Sequence, residues 1–288
     1  MTRTVKFQGN PLTLIGRTLV PGSPAPDFNV VSQDMKTVTL SDFEGKIKVI
    51  SSFPSLDTPV CDLQVKEFNK RLAAFSPEVV VIGISKDLPF AQKRFCGENE
   101  IKNEHVLSDY RSSSFGINYG VLIKELNLLA RSVRIIDKSG IIRYIQNAPE
   151  ITEHLDYDDV IKTLGAGLKN TVSADKNKSV LPSKCTPCEG GIAPLPKETV
   201  EKLMAQHRGW EVVETKKIIK EFKFKDFQES KYFLDTISVI AEEQGHHPTM
   251  TLSYNKVRVT LTTHAASGLT DNDFIMARII DDVAGGWL

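Results

Sequence analysis

Cys61 stands at a position in the sequence where a thiol can act as a nucleophile. It follows an apolar, β-branched segment that ends at Pro54, and it falls in the first turn of an amphipathic segment for which Thr58 and Pro59 are helix start signals. Unpaired backbone N–H groups at a helix start favour the thiolate, which is the reactive form of cysteine. Thr58 is close enough in sequence to aim its hydroxyl at the sulfur or at a bound oxygen substrate. An unreactive buried cysteine, with Thr58 only capping the helix, is the alternative.

Three of the six histidines form a second group with chemical potential. His246, His247 and His264 lie in one short region, and Glu242 precedes His246 by four residues. Imidazole titrates near neutral pH and serves as a general acid or base. In an extended chain, the neighbours His246 and His247 would point to opposite faces, so only one could face a given pocket. Pro248 introduces a backbone irregularity that can alter these directions. The spacing does not match a zinc site, so we expect no metal, and histidines that only cap a helix end and a strand end are the alternative.

The segments around Cys61 alternate between predicted strands and helices. Apolar, β-branched runs predict strands at residues 46–54, 78–85 and 105–109, with helices between them, and then a hairpin over residues 128–148. This order predicts an α/β domain whose mixed sheet is covered on both faces. The helix that begins before Cys61 is expected to bury an apolar face made of Leu63, Val65, Phe68, Leu72 and Phe75.

The C-terminal part of the chain has a different pattern. Residues 168–184 lose apolar periodicity and are rich in Gly, Ser, Asn and Lys, which is typical of a linker. We therefore predict one domain over residues 1–167 and a second over residues 185–288. In the second domain, helices and two strand pairs predict a small α+β fold, an antiparallel four-stranded sheet with helices on one face. Its long helix is expected to present Phe227, Phe233, Leu234, Ile237 and Ile240 on one side, and Thr270 with Asp273 predicts a capping box at the last helix.

The composition excludes several classes of protein. The 288 residues contain 36 Lys plus Arg and 36 Asp plus Glu, so the chain lacks the cationic excess that nucleic acid or an anionic membrane surface attracts. No run approaches the roughly 20 apolar residues of a membrane span, and the N-terminus lacks a signal-peptide pattern. Four cysteines are too few for a disulfide scaffold. We expect a cytoplasmic enzyme that uses no cofactor and contacts neither nucleic acid nor membrane.

The string PSLDTPVC, which ends at Cys61, carries a family resemblance. Together with PGSPAPDF, GNPLTLIG, DLPFAQKRFC, YGVLIKE and LLARSV, it resembles the thiol peroxidase branch of the peroxiredoxins over about residues 3–167. The resemblance implies a thioredoxin-like fold in which Cys61 attacks a hydroperoxide and becomes a sulfenic acid. It also implies that Thr58 orients the peroxide, that Arg131 holds the thiolate and polarises the peroxide, and that Pro54 shields the pocket.

The same resemblance implies that Cys96 is a resolving cysteine, which forms an intramolecular disulfide with Cys61. It also implies that thioredoxin or a similar dithiol reduces this disulfide. From the residues alone, Cys96 could equally be a buried apolar residue. Arg134, three residues after Arg131, is expected on the opposite face of its strand, in solvent. A thioredoxin-type disulfide reductase is the competing class, but it requires a second thiol where this chain has Thr58.

The string EEQGHHPTMTLSYNKVRVTLTTHAASGLTDND resembles the pterin-4a-carbinolamine dehydratases, as do GWEVVE and FKFKDFQESKYFLDTISVIAE, over about residues 187–288. This resemblance implies dehydration of 4a-hydroxytetrahydropterin to quinonoid dihydropterin, with His246 and His264 transferring protons and His247 adding polarity. A non-catalytic dimerisation or regulatory module is the competing class, and we expect a homodimer. The residues implied to line the pterin pocket are Glu242, His246, His247, Pro248, His264 and Asp273, with Trp210 at its edge.

Cys185 and Cys188 form a CxxC pair just before the second domain. The chain has no other CxxC, so this pair is a weak indication of function. Three interpretations stay open: a terminal segment typical of the dehydratases, half of a metal site at a dimer interface, and redox exchange with the peroxidase.

Overall fold

A computed structural model of the chain describes four stretches, which are residues 3–72, 77–166, 184–187 and 192–287. The described residues belong to two compact units, one within Arg3–Asn177 and the other within Lys178–Leu288. Apart from Lys184, the predicted linker 168–184 lies outside the described residues. The exact bounds of the two domains therefore stay a prediction.

The described part of the first unit has an α/β fold. Its strands are β1 (Arg3–Phe7), β2 (Asn10–Ile15), β3 (Asn29–Val31), β4 (Thr37–Thr39), β5 (Ile47–Ser52), β6 (Val79–Ser85), β7 (His105–Ser108), β8 (Leu122–Ile123), β9 (Leu128–Leu129), β10 (Ser132–Ile136) and β11 (Ile142–Asn147). Its helices are α1 (Pro59–Leu72), α2 (Pro89–Glu98), α3 (Ser114–Asn118) and α4 (Tyr157–Gly165).

A mixed sheet in the order β11-β10-β5-β6-β7-β3-β4 forms the centre of this unit. The strands β5, β6 and β7 are parallel, and the outer pairs are antiparallel. Parallel strands with both faces covered consist of nearly continuous apolar residues. The sequence of β6, VVVIGIS, shows this pattern and is buried from Val80 to Ser85. The predicted α/β architecture is confirmed.

The buried face of α1 differs from the prediction at one position. The side chain of Leu63 is 41% exposed, whereas Gln64, the next residue, is completely buried. The face that packs on the sheet therefore runs through Cys61, Val65 and Phe68 and includes a polar residue. The predicted Phe75 lies outside the described residues.

A second, smaller sheet was not predicted. It has the order β1-β2-β8-β9, and all of its pairs are antiparallel. The strands β8 and β9 have only two residues each, which is too short to produce a recognisable periodicity in the sequence. Pairing between β2 and β8 joins residues more than a hundred positions apart, so local patterns could not indicate it.

Arg134 on β10 corrects a prediction, because it is buried instead of solvated, with 3% of the residue exposed. Its guanidinium donates to the Ser132 hydroxyl and, at 3.1 Å, to the Tyr119 carbonyl oxygen. Burial lowers the pKa of this guanidinium to about 10. Alternation along a strand assigns a side chain to a face, but both faces of this sheet are covered, so neither face is in solvent.

The second unit is an α+β fold, as predicted. The sheet order is β12-β13-β15-β14, every pair is antiparallel, and Val257, Val259 and Leu261 of β15 alternate toward the core. Phe227 is 49% exposed because it is the first residue of its helix, beyond the buried face. The elements are α5 (Lys197–Met204), β12 (Glu211–Val213), β13 (Lys217–Lys223), α6 (Phe227–Gln244), β14 (Thr249–Ser253), β15 (Lys256–Leu261) and α7 (Asp271–Ala284).

Within the described stretches, no helix combines the length and the apolar character that crossing a bilayer requires.

Candidate active sites

Cys61 lies in the first turn of α1, at the point where the chain leaves β5 and turns into the helix. Its side chain is completely buried, and the thiol is free. Phe53, Leu56 and Val65 surround it in an apolar cluster. Pro54, in the connecting loop, is buried as well. The sulfur is thus held at a helix start and shielded from bulk water.

Two donors reach the sulfur of Cys61 from different parts of the chain. Thr58 Oγ1 lies 2.8 Å from Cys61 Sγ, and Arg131 Nη2 lies 3.2 Å from it. The Thr58 hydroxyl is also 3.0 Å from the Ser55 carbonyl oxygen, so its one proton has two acceptors. A hydroxyl and a guanidinium directed at one sulfur atom favour negative charge on that atom.

Arg131 is itself fixed by the protein, with 1% of the residue exposed. Its Nε and Nη2 donate to the Ile151 carbonyl oxygen at 3.1 and 2.9 Å, and its Nη1 donates to Gln64 Oε1. Gln64 in turn donates through Nε2 to the Ser51 hydroxyl at 2.6 Å. The guanidinium therefore has a single orientation, with Nη2 directed toward Cys61. Gln64 was missed in the sequence, where a polar residue on the buried face of α1 was the available signal.

The loop between β5 and α1 has a separate anchor in Asp87. One carboxylate oxygen accepts from the Ser55 hydroxyl at 2.7 Å, and the other accepts from the Leu56 backbone N–H at 2.8 Å and from the Ser85 hydroxyl at 2.7 Å. Asp87 follows β6, the strand next to β5, so it ties the loop to the sheet. No motif in the sequence indicated the contact with the loop, because Ser55 and Leu56 lie 32 and 31 residues before Asp87.

A surface cleft of about 350 Å³ opens between the start of α1 and the end of α2. It provides a solvent-accessible approach beside Thr58. The lining residues are Leu56, Asp57, Thr58, Pro59, Asp62, Lys66, Phe95 and Asn99.

Cys96 belongs to the same apolar cluster as Cys61 and lies on the buried side of α2. Its thiol is free and accepts a hydrogen bond from Gln33 Nε2 at 3.2 Å. Burial raises the pKa of this thiol to about 11. The two cysteines therefore lie in one cluster but have different hydrogen-bond donors. Arg131 and Thr58 donate to the sulfur of Cys61, and Gln33 donates to that of Cys96.

In the second unit, His246 and Asp273 form a buried pair. His246 Nε2 lies 2.8 Å from Asp273 Oδ1, and the exposed fraction of the two side chains is 7% and 0%. The other carboxylate oxygen accepts from the Thr263 hydroxyl at 2.9 Å and from the Thr270 backbone N–H at 2.8 Å. The predicted capping box at Thr270 is present. Asp273, which was expected to line the pocket, is completely buried and contacts both His246 and Thr263, the residue before His264.

The other two histidines are more accessible. His247 is exposed, and its Nε2 lies 3.1 Å from Glu242 Oε2, whose side chain is also exposed. His264 is exposed in the turn that follows β15, next to Thr263. Gly245 ends α6 in the left-handed conformation with φ 62°, so the chain reverses and directs His246 inward and His247 outward.

Pro248 is partly buried and leads directly into β14. Trp210, which was expected at the edge of the pocket, is buried, with 5% of the residue exposed. Its indole N–H donates to Asp281 Oδ2 on α7 at 3.0 Å, and its ring packs edge-on against Phe222. A tryptophan with this hydrogen bond stabilises the contact between the sheet and α7.

Cys185 is buried within the second unit. Its backbone N–H donates to Gln244 Oε1 at 3.0 Å, and its sulfur lies 3.7 Å from the Asn272 carbonyl oxygen. Cys188 lies outside the described residues. Among the residues that are described, no three His, Cys, Asp or Glu side chains converge as metal ligands.

Comparisons with known proteins divide the chain at the same place. The Redoxin family matches residues 20–161. A thiol peroxidase of Halalkalibacterium halodurans is 44% identical over 165 residues, which are 57% of this chain and 99% of that protein. The chain belongs to the thiol peroxidase family. The thiol peroxidase of Bacillus subtilis is also 44% identical over 165 residues, covering 57% of this chain and 98% of that one.

A solved structure supports the fold of the peroxidase domain. The peroxiredoxin-like protein from Aquifex aeolicus has 44% identity and a TM-score of 0.55, and covers 59% of this chain and 99% of that one. A second family, described as pterin 4 alpha carbinolamine dehydratase, matches residues 193–283. This thiol peroxidase is therefore fused to a pterin dehydratase domain at its C-terminus.

Proposed function

We propose that the peroxidase domain reduces hydrogen peroxide and organic hydroperoxides through Cys61, with Cys96 as the resolving thiol. The observation that carries this proposal is the pair of donors on the Cys61 sulfur, Thr58 Oγ1 at 2.8 Å and Arg131 Nη2 at 3.2 Å. Both donors also suit a peroxide oxygen next to the sulfur, since peroxide oxygens accept hydrogen bonds. Pro54 shields the reacting atoms from water.

The reaction proceeds in two stages. The thiolate of Cys61 attacks one peroxide oxygen, the O–O bond breaks, water or an alcohol leaves, and Cys61 becomes a sulfenic acid. Cys96 then attacks this sulfur, and water is released as the disulfide forms. A dithiol protein such as thioredoxin then reduces the disulfide, which fits the reducing cytoplasm that we expect for this chain.

A direct test uses Cys61→Ser in the full chain. This variant is expected to lose hydroperoxide consumption and to keep the dehydratase rate. In wild type, mass spectrometry after one equivalent of peroxide is expected to find a peptide pair linked through Cys61 and Cys96. A disulfide from Cys61 mainly to Cys185 or Cys188 contradicts the assignment of the resolving thiol.

For the second domain, we propose dehydration of 4a-hydroxytetrahydropterin to quinonoid dihydropterin. The reaction needs one group to protonate the leaving hydroxyl and another to remove the N5 proton. We assign these transfers to His246 and His264, and we assign binding to Glu242, His247 and Pro248. The carboxylate of Asp273, 2.8 Å from His246 Nε2, supports this assignment because it fixes the orientation of the imidazole.

The dehydratase proposal is tested with 4a-carbinolamine generated enzymatically, after subtraction of spontaneous dehydration. His246→Ala and His264→Ala are each expected to lower the rate about 100-fold, the usual size of a lost acid or base. A chelator is expected to leave the wild-type rate unchanged. If the wild-type chain gives no acceleration, the domain is a binding or dimerisation module.

We propose residues 1–167 and 185–288 as the two domains, joined by the linker 168–184. The division of the described residues into two compact units, which meet within the proposed linker, supports two domains. A dimer of the full chain is part of the same proposal and is tested by analytical ultracentrifugation.

A further inference from the structure

Arg134 buries a guanidinium in the peroxidase domain without a carboxylate as its hydrogen-bond acceptor. Only 3% of the residue is exposed, and its Nε has no hydrogen-bond partner among the described residues. Its other nitrogens donate to a hydroxyl, a carbonyl oxygen and an amide oxygen, which belong to Ser132 at 2.5 Å, Tyr119 at 3.1 Å and Asn147 at 3.4 Å. Burying a charge without an opposite charge is unfavourable for folding, and an apolar side chain of similar size would avoid that penalty. The hydrogen bonds that the guanidinium donates are what an apolar side chain would lack.

The hydroxyl groups of Ser132 and Ser52 extend the hydrogen bond from Arg134. The two serines are paired across β10 and β5, and their hydroxyl oxygens are 2.6 Å apart. Ser52 Oγ also lies 2.8 Å from the Ala130 carbonyl oxygen. A guanidinium only donates, a carbonyl oxygen only accepts, and each hydroxyl has one proton to donate. The direction of this chain is therefore fixed, because the Ser132 hydroxyl must donate to Ser52 and the Ser52 hydroxyl to the Ala130 carbonyl.

The Ala130 carbonyl belongs to the peptide bond that leads into Arg131. On the other side of that residue, the Arg131 carbonyl oxygen accepts from the Ala148 backbone N–H at 3.0 Å. The backbone of Arg131 is thus held on both sides, and its direction determines how the side chain enters the site. The side chain ends with Nη2 at 3.2 Å from the Cys61 sulfur. The chain of hydroxyl groups therefore supports the residue that contacts the reactive sulfur.

The two faces of β5 contribute different contacts to Arg131. Successive residues of a strand point to opposite faces of the sheet. Ser51 is hydrogen-bonded to Gln64 of α1 at 2.6 Å, and Gln64 in turn accepts from the guanidinium. Ser52 points to the other face and holds the backbone before Arg131 through the Ala130 carbonyl. The side chain of Arg131 is therefore supported from one face of the sheet and its backbone from the other.

We propose that Arg134 is a positioning residue of the peroxidase site. It acts on the backbone of Arg131 through the two serine hydroxyls, an inference that rests on the proposed role of Cys61 as the peroxide nucleophile. The guanidinium of Arg134 stays protonated at neutral pH, because burial lowers its pKa only to about 10. Without this donor, both hydroxyls can turn and the carbonyl before Arg131 loses a fixed partner. The Arg131 guanidinium is then directed less well at the sulfur and at the peroxide.

The first measurement compares wild type with Arg134→Met and Ser132→Ala in the full chain. Peroxide is mixed with the reduced protein, the reaction is quenched at increasing times, and the sulfenic acid of Cys61 is quantified by mass spectrometry. Both variants are expected to form it about 10-fold more slowly, the lower end of the effect of a lost hydrogen bond to a charged group. Ser132→Ala keeps the buried charge, so its effect belongs to the hydroxyl chain. Arg143→Met removes a guanidinium of β11 that pairs with Asp137, and this matched control is expected to react like wild type.

A second measurement separates positioning from a loss of stability. Iodoacetamide also reacts with the Cys61 thiolate, but this reaction has no O–O bond for a guanidinium to polarise. In Arg134→Met, the ratio of the peroxide rate to the alkylation rate is therefore expected to fall. The pH at which the peroxide rate is half-maximal is expected to rise, because a displaced guanidinium stabilises the thiolate less. A substitution that only loosens the fold changes both rates together, so an unchanged ratio with an unchanged pH profile contradicts the inference.

A double-mutant cycle tests whether Arg134 acts through Arg131. In an Arg131→Met background, Arg134→Met is expected to leave the peroxide rate unchanged within about twofold, since the side chain that it positions is absent. The same result is expected for Ser132→Ala in that background. An effect as large as in the wild-type background would overturn the inference.

Failure of the inference and failure of the proposed function give different results. If wild-type Cys61 forms no sulfenic acid with peroxide, the peroxidase proposal fails and the role of Arg134 fails with it. If the sulfenic acid forms, but Ser132→Ala keeps the wild-type rate within about twofold, only the role of Arg134 fails. Ser132→Ala removes a single oxygen atom and decides the question even if Arg134→Met does not fold.

Discussion

Gln64 donates to the Ser51 hydroxyl at 2.6 Å and so fastens α1 to β5 directly beside Arg131. The same amide accepts from Arg131 through its oxygen. One side chain thereby joins the helix that carries Cys61, the strand before it and the guanidinium that contacts its sulfur. The geometry of the peroxidase site depends on a residue that touches no substrate.

Replacing Gln64 tests this dependence. Gln64→Leu removes the acceptor for Arg131 and is expected to lower the rate of Cys61 with peroxide about 10-fold, because a lost hydrogen bond to a charged group is worth about 1.5–3 kcal/mol and Ile151 retains part of the orientation. The measurement is the second-order rate of sulfenic acid formation. Leu63→Gln, on the exposed side of the same helix, is the control. A rate equal to wild type would show that Ile151 alone fixes the guanidinium.

Asp273→Asn tests the positioning of His246. An amide keeps the size of the side chain but cannot balance charge on the imidazole, so we expect the dehydratase rate to fall about 100-fold with little change in KM. Asp271→Asn, at the exposed start of the same helix, is expected to retain the wild-type rate. A loss confined to KM would assign Asp273 to substrate binding.

The carboxyl group of Glu104, which immediately precedes β7, predicts a dependence of stability on pH. Only 8% of the residue is exposed, and neither carboxyl oxygen has a hydrogen-bond partner among the described residues. A carboxyl group whose pKa is raised on folding leaves stability intact below the ordinary glutamate pKa and lowers it as the pH rises through the folded value. Glu104→Leu is therefore expected to stabilise the peroxidase domain by an amount that grows with pH, at up to about 1.4 kcal/mol per pH unit. Amide hydrogen exchange in β6 measures this domain separately. A difference independent of pH would show that the folded carboxyl group does not titrate in this range.

Cys96→Ser is expected to react once with peroxide and then to stop. Without a resolving thiol, the sulfenic acid of Cys61 persists and a further equivalent of peroxide converts it to sulfinic acid. Mass spectrometry of the Cys61 peptide and turnover with thioredoxin measure these effects. Cys185→Ser, which alters a buried thiol in the other unit, is expected to cycle like wild type. Sustained turnover of Cys96→Ser would mean that another thiol resolves Cys61.

The sequence was most informative where structure is local. The strands around Cys61 are continuous apolar runs, and the three-residue spacing between Thr58 and Cys61 is enough to bring hydroxyl and sulfur together. The capping box at Thr270 is equally local. Each of these features depends on residues within one helical turn or one strand.

Local sequence patterns could not predict the features that depend on contacts between residues far apart in the chain. Gln64 reaches Ser51 only because α1 folds back on β5, and the carboxyl group of Glu104 finds its place only because Gly83 of β6 leaves room for it. The burial of Arg134 depends on elements that cover the second face of the sheet. Periodicity assigns a side chain to a face, but the environment of that face is set by the rest of the chain.

The position of Trp210 in the core of the second unit has a practical consequence. The chain contains two tryptophans, Trp210 and Trp287, and both belong to the dehydratase domain. Intrinsic indole fluorescence therefore reports on that domain alone. The peroxidase domain, which contains Cys61, has no tryptophan whose emission could report its redox state. Two measurements on one sample can thus follow the two domains separately. Indole emission follows unfolding of the second domain, and mass spectrometry of quenched samples follows the thiols of the first.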